Sequence, residues 1–367
     1  MSKSWKHVLA SVLFWAIFLV LFAYAQDVIA PKNSTTKTDK LFNSLITPYT
    51  NATRTRAFEE LPRNTVDLAL LGSSTVFCGI SPAQLYRDHG VAAHDYAVGA
   101  MTGALTDYLC DIVFETQSPR YVLLDATRLY ADYPNNSANY LLPFTRLTSG
   151  KVRVAAARGD LTAFVDSLIP LMGTHQNWYN VTLSDFGFSF STREDALLGM
   201  VGMVQPAADA QALLARFEKP AMSYANFTPK VKPALTELDK QQTLAFRDKC
   251  LAYGAKPMLI VCPSVFGNEA TGFLLDLAEF AQANGIPMAN FNIQRQGLVL
   301  APEDFADDHH LTMSGTTKFT AVFGDYLSQN LDLPDRSGDA AYARYDSSVA
   351  QYEAALAKLA SVQEVAP

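Results

Sequence analysis

Three short, largely apolar runs limit this chain most: Val66–Leu71 (VDLALL), Tyr121–Asp125 (YVLLD) and Pro257–Cys262 (PMLIVC). Runs of that length with no polar alternation suit strands buried on both faces of a parallel sheet. Weaker strands are expected at His94–Val98, ending at Gly99, and at Pro287–Phe291. Helical patterns fall between them, at about 81–88, 103–116, 235–253, 272–284 and 314–330. Strands alternating with helices imply an α/β fold with a doubly wound parallel sheet. The interval of about 129–231 breaks the alternation with helical pieces and aromatic loops, and reads as an insertion capping the carboxyl ends of the strands, where open α/β sheets bind ligands.

The N-terminus has a different character. Lys3 and Lys6 precede Val8–Ala25, which carries no charge and makes a helix of roughly 27 Å, long enough to cross a hydrocarbon core. The basic flank keeps that end cytoplasmic and places the remainder outside. Ala23-Tyr24-Ala25 also resembles a processing site, so a cleaved signal peptide is the rival reading; the length of the run favours an uncleaved anchor. The expected division is therefore an anchor over 1–26, a polar stalk over 27–63, the α/β domain over 64–335 and a helical tail over 336–367. Polar stretches such as Asn33-Ser34-Thr35, Asn51-Ala52-Thr53 and Asn136-Ser137-Ala138 read as exposed loops.

The 367 residues carry a formal charge of −7 and no basic face, which argues against a nucleic-acid partner. Cys78, Cys110, Cys250 and Cys262 lack the spacing of a zinc or redox motif and read as buried thiols.

Two features carry chemistry. Ser74 follows the first strand through Gly72-Ser73, which sets a hydroxyl at the mouth of the sheet. Near the C-terminus, Asp304-Phe305-Ala306-Asp307-Asp308-His309-His310 precedes the final helix. A serine hydroxyl needs an imidazole to take its proton, and the imidazole needs a carboxylate to fix its tautomer. Asp307, three residues before His310, is placed to bend back to the ring. An acidic loop capping a helix, or a metal site from the adjacent histidines, are the other readings of the same residues.

The combination resembles the SGNH/GDSL hydrolase superfamily, and is closest to its membrane-anchored DltD-like branch. That resemblance implies a flavodoxin-like three-layer fold, Ser74 as nucleophile, His310 as base, Asp307 as its orienting partner and Gly99 as an oxyanion-hole glycine. His175-Gln176-Asn177-Trp178, with Leu183-Ser184-Asp185-Phe186, resembles an insertion motif of the anchored relatives and makes His175 and Trp178 candidate substrate contacts. Asp125 stands where the family's third block usually supplies asparagine; an ionised carboxylate there would repel an oxyanion, and one missing donor typically costs about 3 kcal/mol of transition-state stabilisation. The function so implied is O-acyl transfer onto a cell-surface polymer through a Ser74 acyl-enzyme, without a cofactor, beside a multi-spanning membrane O-acyltransferase. An esterase using the same residues, or a non-catalytic envelope scaffold, are the alternatives.

Overall fold

The structure is a computed structural model and describes residues 3–29, 51–130, 136–181, 183, 195–218, 235–265 and 268–365. In chain order the elements begin with α1 (Lys3–Ile29), α2 (Asn51–Glu60), β1 (Leu68–Leu71), α3 (Ser74–Phe77), α4 (Pro82–His89) and β2 (Ala93–Asp95). There follow α5 (Thr106–Thr116), β3 (Tyr121–Asp125), α6 (Thr127–Tyr130), α7 (Asn136–Leu141), α8 (Ser149–Ala157), α9 (Leu161–Leu168), α10 (Pro170–Thr174) and α11 (Ala210–Phe217). The chain closes with α12 (Glu237–Ala252), β4 (Lys256–Val261), α13 (Asn268–Ala283), β5 (Met288–Asn290), α14 (Met313–Asn330) and α15 (Ala343–Val365).

The five strands form one parallel sheet in the order β2-β1-β3-β4-β5. Strand alternation sends Ala69, Leu71, Val122, Leu124, Leu259 and Val261 to one face, with Leu109, Phe246 and Leu277 of α5, α12 and α13. Leu68, Leu70, Leu123, Met258 and Ile260 go to the other face, with Leu85 of α4 and Phe319 and Phe323 of α14. Both faces are covered, which is why the strands read as apolar runs. The direction of connection reverses between β1 and β3, and such a switch point leaves a crevice at the carboxyl ends of the strands.

Two expectations need correction. The stretch 27–63 is not a uniform stalk: α1 continues to Ile29, and α2 is part of the domain, with Phe58 and Ala57 buried and Arg54 only 2% exposed. Residues 30–50, including Asn33-Ser34-Thr35, lie outside the described residues. Asn51 and Asn136 open α2 and α7 instead of lying in loops. The tail is helical over Ala343–Val365 and packs on the domain. Tyr345 and Tyr352 of α15 are buried against α4, where Tyr352 Oη donates to Gln84 Oε1 (3.1 Å) and the Tyr345 ring stacks on Tyr86 at 5.0 Å.

The insertion divides in two. α7 packs on α2, α8 on α5 and α9, and α10 on α9 and on α1. Residues 195–203 instead cross the ends of β1 and β2. Asp95 N donates to Leu198 O (2.9 Å), Val201 N to Phe77 O (2.8 Å) and Met313 N to Met203 O (2.7 Å). Among the described residues, this second part meets the expectation of a cap over the strands.

α1 contains a span, Trp5–Gln26, of mean hydropathy 2.5, long and apolar enough to cross a membrane. Its residues are exposed from Trp5 to Leu21, whereas Phe22, Tyr24, Ala25 and Gln26 are half-buried and Val28 is buried, where the domain meets it.

Candidate active site

Gly72 ends β1 where a side chain has no room: a Cβ would come within 2.5 Å of Val76 Cγ2 and 2.7 Å of Asp125 Cβ. Ser73 then caps α3 as a fully buried residue, its Oγ accepting from Thr75 N and sharing a hydrogen bond with Thr75 Oγ1 (3.0 Å). Ser74 is left as the first helical residue, half-buried, at the carboxyl end of β1.

Asp125 organises this turn from below. Its carboxylate is fully buried and accepts from Thr75 Oγ1 (2.6 Å), Thr127 N (3.0 Å) and Thr127 Oγ1 (2.7 Å). The position expected to face an oxyanion therefore holds a carboxylate turned into the fold, tying the Ser74 turn to β3 and α6. Gly99 arrives from the other side. Val98 N donates to Gly72 O (2.9 Å), so the turn after β2 lies against the Ser74 turn. Among the described residues neither Ser74 N–H nor Gly99 N–H donates to a protein acceptor. Ala100 next to Gly99 has φ +53, a left-handed conformation that folds the chain sharply there.

The 304–312 loop reaches the same rim. Phe305 and Leu311 bridge, and Ala306 N donates to His310 O (2.9 Å), closing a tight loop ahead of α14. Within it Asp307 Oδ1 accepts from His309 N (2.8 Å) and His310 N (2.9 Å), and His310 Nδ1 lies 2.7 Å from Asp307 Oδ2. Burial pushes the Asp307 carboxyl up, but the His310 ring and the two backbone donors outweigh it and hold the group below its ordinary value. With Nδ1 donating to the carboxylate, the lone pair is on Nε2. Among the described residues the His309 side chain pairs with Asp308, at 3.8 Å, and both are more than 40% exposed.

Several contacts bring this loop and Ser74 to one edge. Thr316 Oγ1 of α14 donates to Cys78 O (2.6 Å), and Cys78 N donates to Ser74 O (2.9 Å). Val265 N, beyond β4, donates to Asp308 O (2.8 Å). The Asp307 charge is felt at the Cys78 thiol, which burial first of all drives far above the usual range, so this thiol is inert. No hydrogen bond joins Ser74 Oγ to His310 among the described residues.

His175 and Trp178 have other surroundings. They lie in a 3-10 segment, His175–Asn180, packed on α10 and the end of α1. His175 Nδ1 contacts Met172 O (2.8 Å), and the Trp178 ring leans on Tyr179 with centroids 4.1 Å apart. No hydrogen bond or ring contact joins either side chain to Ser74, Gly99 or the 304–312 loop among the described residues. Ser184-Asp185-Phe186 lies outside the described residues.

Two supports were not singled out in the sequence. Asp304 is fully buried, accepts from Ala301 N (2.7 Å) and Lys318 Nζ (2.6 Å), and fixes the start of the histidine loop; the capping position of Asp304 after Pro302 was the available signal. Arg54 reaches from α2 to Asp95 (3.3 Å) and to Gly199 O, and its guanidinium lies 4.5 Å over the Phe77 ring. Burial raises Asp95 to about 7 against the pull of Arg54, and also raises Asp195, whose carboxylate caps Leu197 N and Gly199 N. All four cysteines are buried and unpaired in disulfides. Among the described residues no group of three or more His, Cys, Asp or Glu converges as a metal site.

No protein-family model matches the chain, and no curated protein matches it significantly.

Proposed function

We propose that this protein is a membrane-anchored, serine-dependent acyl-handling enzyme of SGNH type, with its main domain outside the cytoplasm. The observation that carries the reading is the Asp307–His310 pair at 2.7 Å, on a loop held to the sheet edge where Ser74 opens α3. A structural helix cap needs no carboxylate bonded to the ring nitrogen as well as to two backbone N–H groups. An orienting residue for a general base does.

In the proposed chemistry Ser74 Oγ attacks the carbonyl carbon of an ester or thioester, and His310 Nε2 takes the hydroxyl proton. Asp307 holds the ring and stabilises its charged form. The Ser74 and Gly99 N–H groups receive the oxyanion. Collapse of the tetrahedral intermediate breaks the bond to the donor's alkoxide or thiolate, which leaves with the proton from His310. An acceptor hydroxyl on a cell-surface polymer then attacks the acyl-enzyme, giving its proton to His310, and Ser74 recovers a proton as the new ester departs. Buried Asp125 supplies no third donor, which favours a slow transfer over rapid hydrolysis. A multi-spanning O-acyltransferase in the same membrane is the proposed source of acyl groups.

The test is covalent labelling of the full chain with a fluorophosphonate. The adduct is expected on Ser74, absent in Ser74→Ala and formed far more slowly in His310→Ala. A wild-type chain that never labels overturns the catalytic reading and leaves a scaffold. Acyl release into water that added glycan leaves unchanged selects the esterase.

A further inference from the structure

We propose that the part of the insertion built from α10 and the His175–Asn180 segment is a membrane-seating surface, resting on the lipid headgroups beside α1. This rests on the anchor included in the proposed function and assigns a partner, the bilayer surface, to residues with no place in the chemistry.

The height of this surface is fixed by contact. The apolar span ends at Gln26, so Gln26 marks the level where hydrocarbon gives way to headgroups. Leu171 N, in α10, donates to Gln26 Oε1 (3.3 Å), and both α10 and the His175–Asn180 segment pack on α1. α1 is exposed from Trp5 to Leu21, while Phe22, Tyr24, Ala25, Gln26 and Val28 are partly or fully covered, so these contacts fall on its last turns and not at the bilayer centre. Trp178 is seven residues past Leu171; at a 3-10 rise of about 2 Å per residue it lies within roughly 14 Å of it, in a segment held beside the helix.

The side chains presented at that level are of the interfacial kind. Met172 is 55% exposed, Trp178 57% and Tyr179 73%, and nothing among the described residues covers them. Leu147, 73% exposed, lines a cavity of about 410 Å³ together with Ala23 and Gln26 of α1. Arg56 and Arg146 line the same cavity together with Glu59 and Glu60, and Arg146 pairs with Glu59 at 3.6 Å, so the polar groups there are of both signs. Trp and Tyr concentrate at the headgroup level because their rings are apolar and their N–H or O–H groups need water. Such a cluster facing open water would be unusual for a soluble surface.

The three tryptophans, Trp5, Trp15 and Trp178, allow the test in the full chain. A Trp5→Phe/Trp15→Phe chain leaves Trp178 as the sole reporter, and a Trp5→Phe/Trp178→Phe chain leaves Trp15. Each is reconstituted in phosphatidylcholine vesicles containing no other protein, with bromine placed either near the headgroup or deep in the acyl chains. Trp178 is expected to lose most of its emission to the shallow bromine, little to the deep bromine, and to be shielded from aqueous iodide; Trp15 should be quenched by bromolipid and protected from iodide. Iodide quenching of Trp178 as in free tryptophan, with Trp15 still quenched by bromolipid, overturns the seating and leaves the anchor standing. Neither tryptophan quenched by bromolipid overturns the anchor and the seating together.

Discussion

Replacing Asp125 separates its two possible roles, because its carboxylate is both the expected neighbour of an oxyanion and the observed fastening of the Ser74 turn. Asp125→Ala removes the acceptor of three hydrogen bonds, from Thr75 Oγ1, Thr127 N and Thr127 Oγ1, at a residue with no exposed surface. Hydrogen bonds to a charged partner are each worth about 1.5–3 kcal/mol, and a stranded buried donor costs about 1–3 kcal/mol. Thr75 Oγ1 keeps its contact with Ser73 Oγ, so the full sum is not reached. The expected loss is about 3–5 kcal/mol, a large share of the roughly 5–15 kcal/mol that holds a domain folded. Asp125→Asn retains an acceptor toward Thr127 and presents an amide to Thr75, whose hydroxyl can turn to accept; its cost is about 1–2 kcal/mol.

Urea unfolding of the full chain in detergent, followed by far-ultraviolet circular dichroism, reads these differences. Fluorophosphonate labelling of the folded fraction reads the chemistry. A turn fastening predicts that Asp125→Asn labels no faster than the wild type. A carboxylate repelling an oxyanion predicts acceleration when its charge is removed. Asp125→Ala within about 1 kcal/mol of the wild type, below the cost of one stranded donor, would refute the fastening.

Three further outcomes are expected. Asp307→Asn should slow labelling of Ser74 by about 10⁴-fold, since an amide no longer holds the base in the productive tautomer. His309→Ala, altering only an exposed pair, should leave the rate unchanged, and the reverse pattern would assign the base to His309. Asp95 gives the pH dependence: its folded value, raised by burial to about 7, lies above the ordinary carboxyl value, so its contribution to stability is full below about pH 4 and is lost as pH rises through about 7. The unfolding free energy should therefore fall by a few kcal/mol across that window, at about 1.4 kcal/mol for each pH unit crossed. Asp95→Asn should flatten the slope, and an unchanged slope assigns it to another group.

The central strands were legible because both faces of the sheet are covered, so Leu68–Leu71, Tyr121–Leu124 and Pro257–Val261 are buried and carry no charged residue. The Asp307–His310 pair was legible for a local reason: three residues of one tight loop let a carboxylate reach the ring without help from tertiary structure. What could not be read is what depends on distant partners. The sequence of α2, Asn-Ala-Thr-Arg-Thr-Arg-Ala-Phe-Glu-Glu, looks like a solvated stalk until Arg54 meets Asp95 and Phe58 enters the core. The tyrosines of α15 likewise became structural only through Gln84, Thr65 and Tyr86. His175 and Trp178 are indicated by a motif, and a motif carries no address for the element it packs on.

On the proposed function and the proposed membrane seating, the two halves of the insertion would answer two demands of opposite kind. Chemistry needs side chains fixed within fractions of an ångström, and residues 195–203 meet that need by backbone hydrogen bonds to β2, α3 and α14, the elements that carry Ser74 and follow His310. A bilayer is fluid and demands only the right side chains at the right height. The half that packs on α1 accordingly presents Met172, Trp178 and Tyr179 without enclosing them. α2, which packs on α7 and carries Arg54 to Asp95, connects the halves. An anchored enzyme acting on an acyl donor in the same membrane gains from that connection, because holding the domain at a constant height replaces a search through solution by a search across a surface. Positioning of this kind lowers the entropic part of the barrier without any change at Ser74 itself.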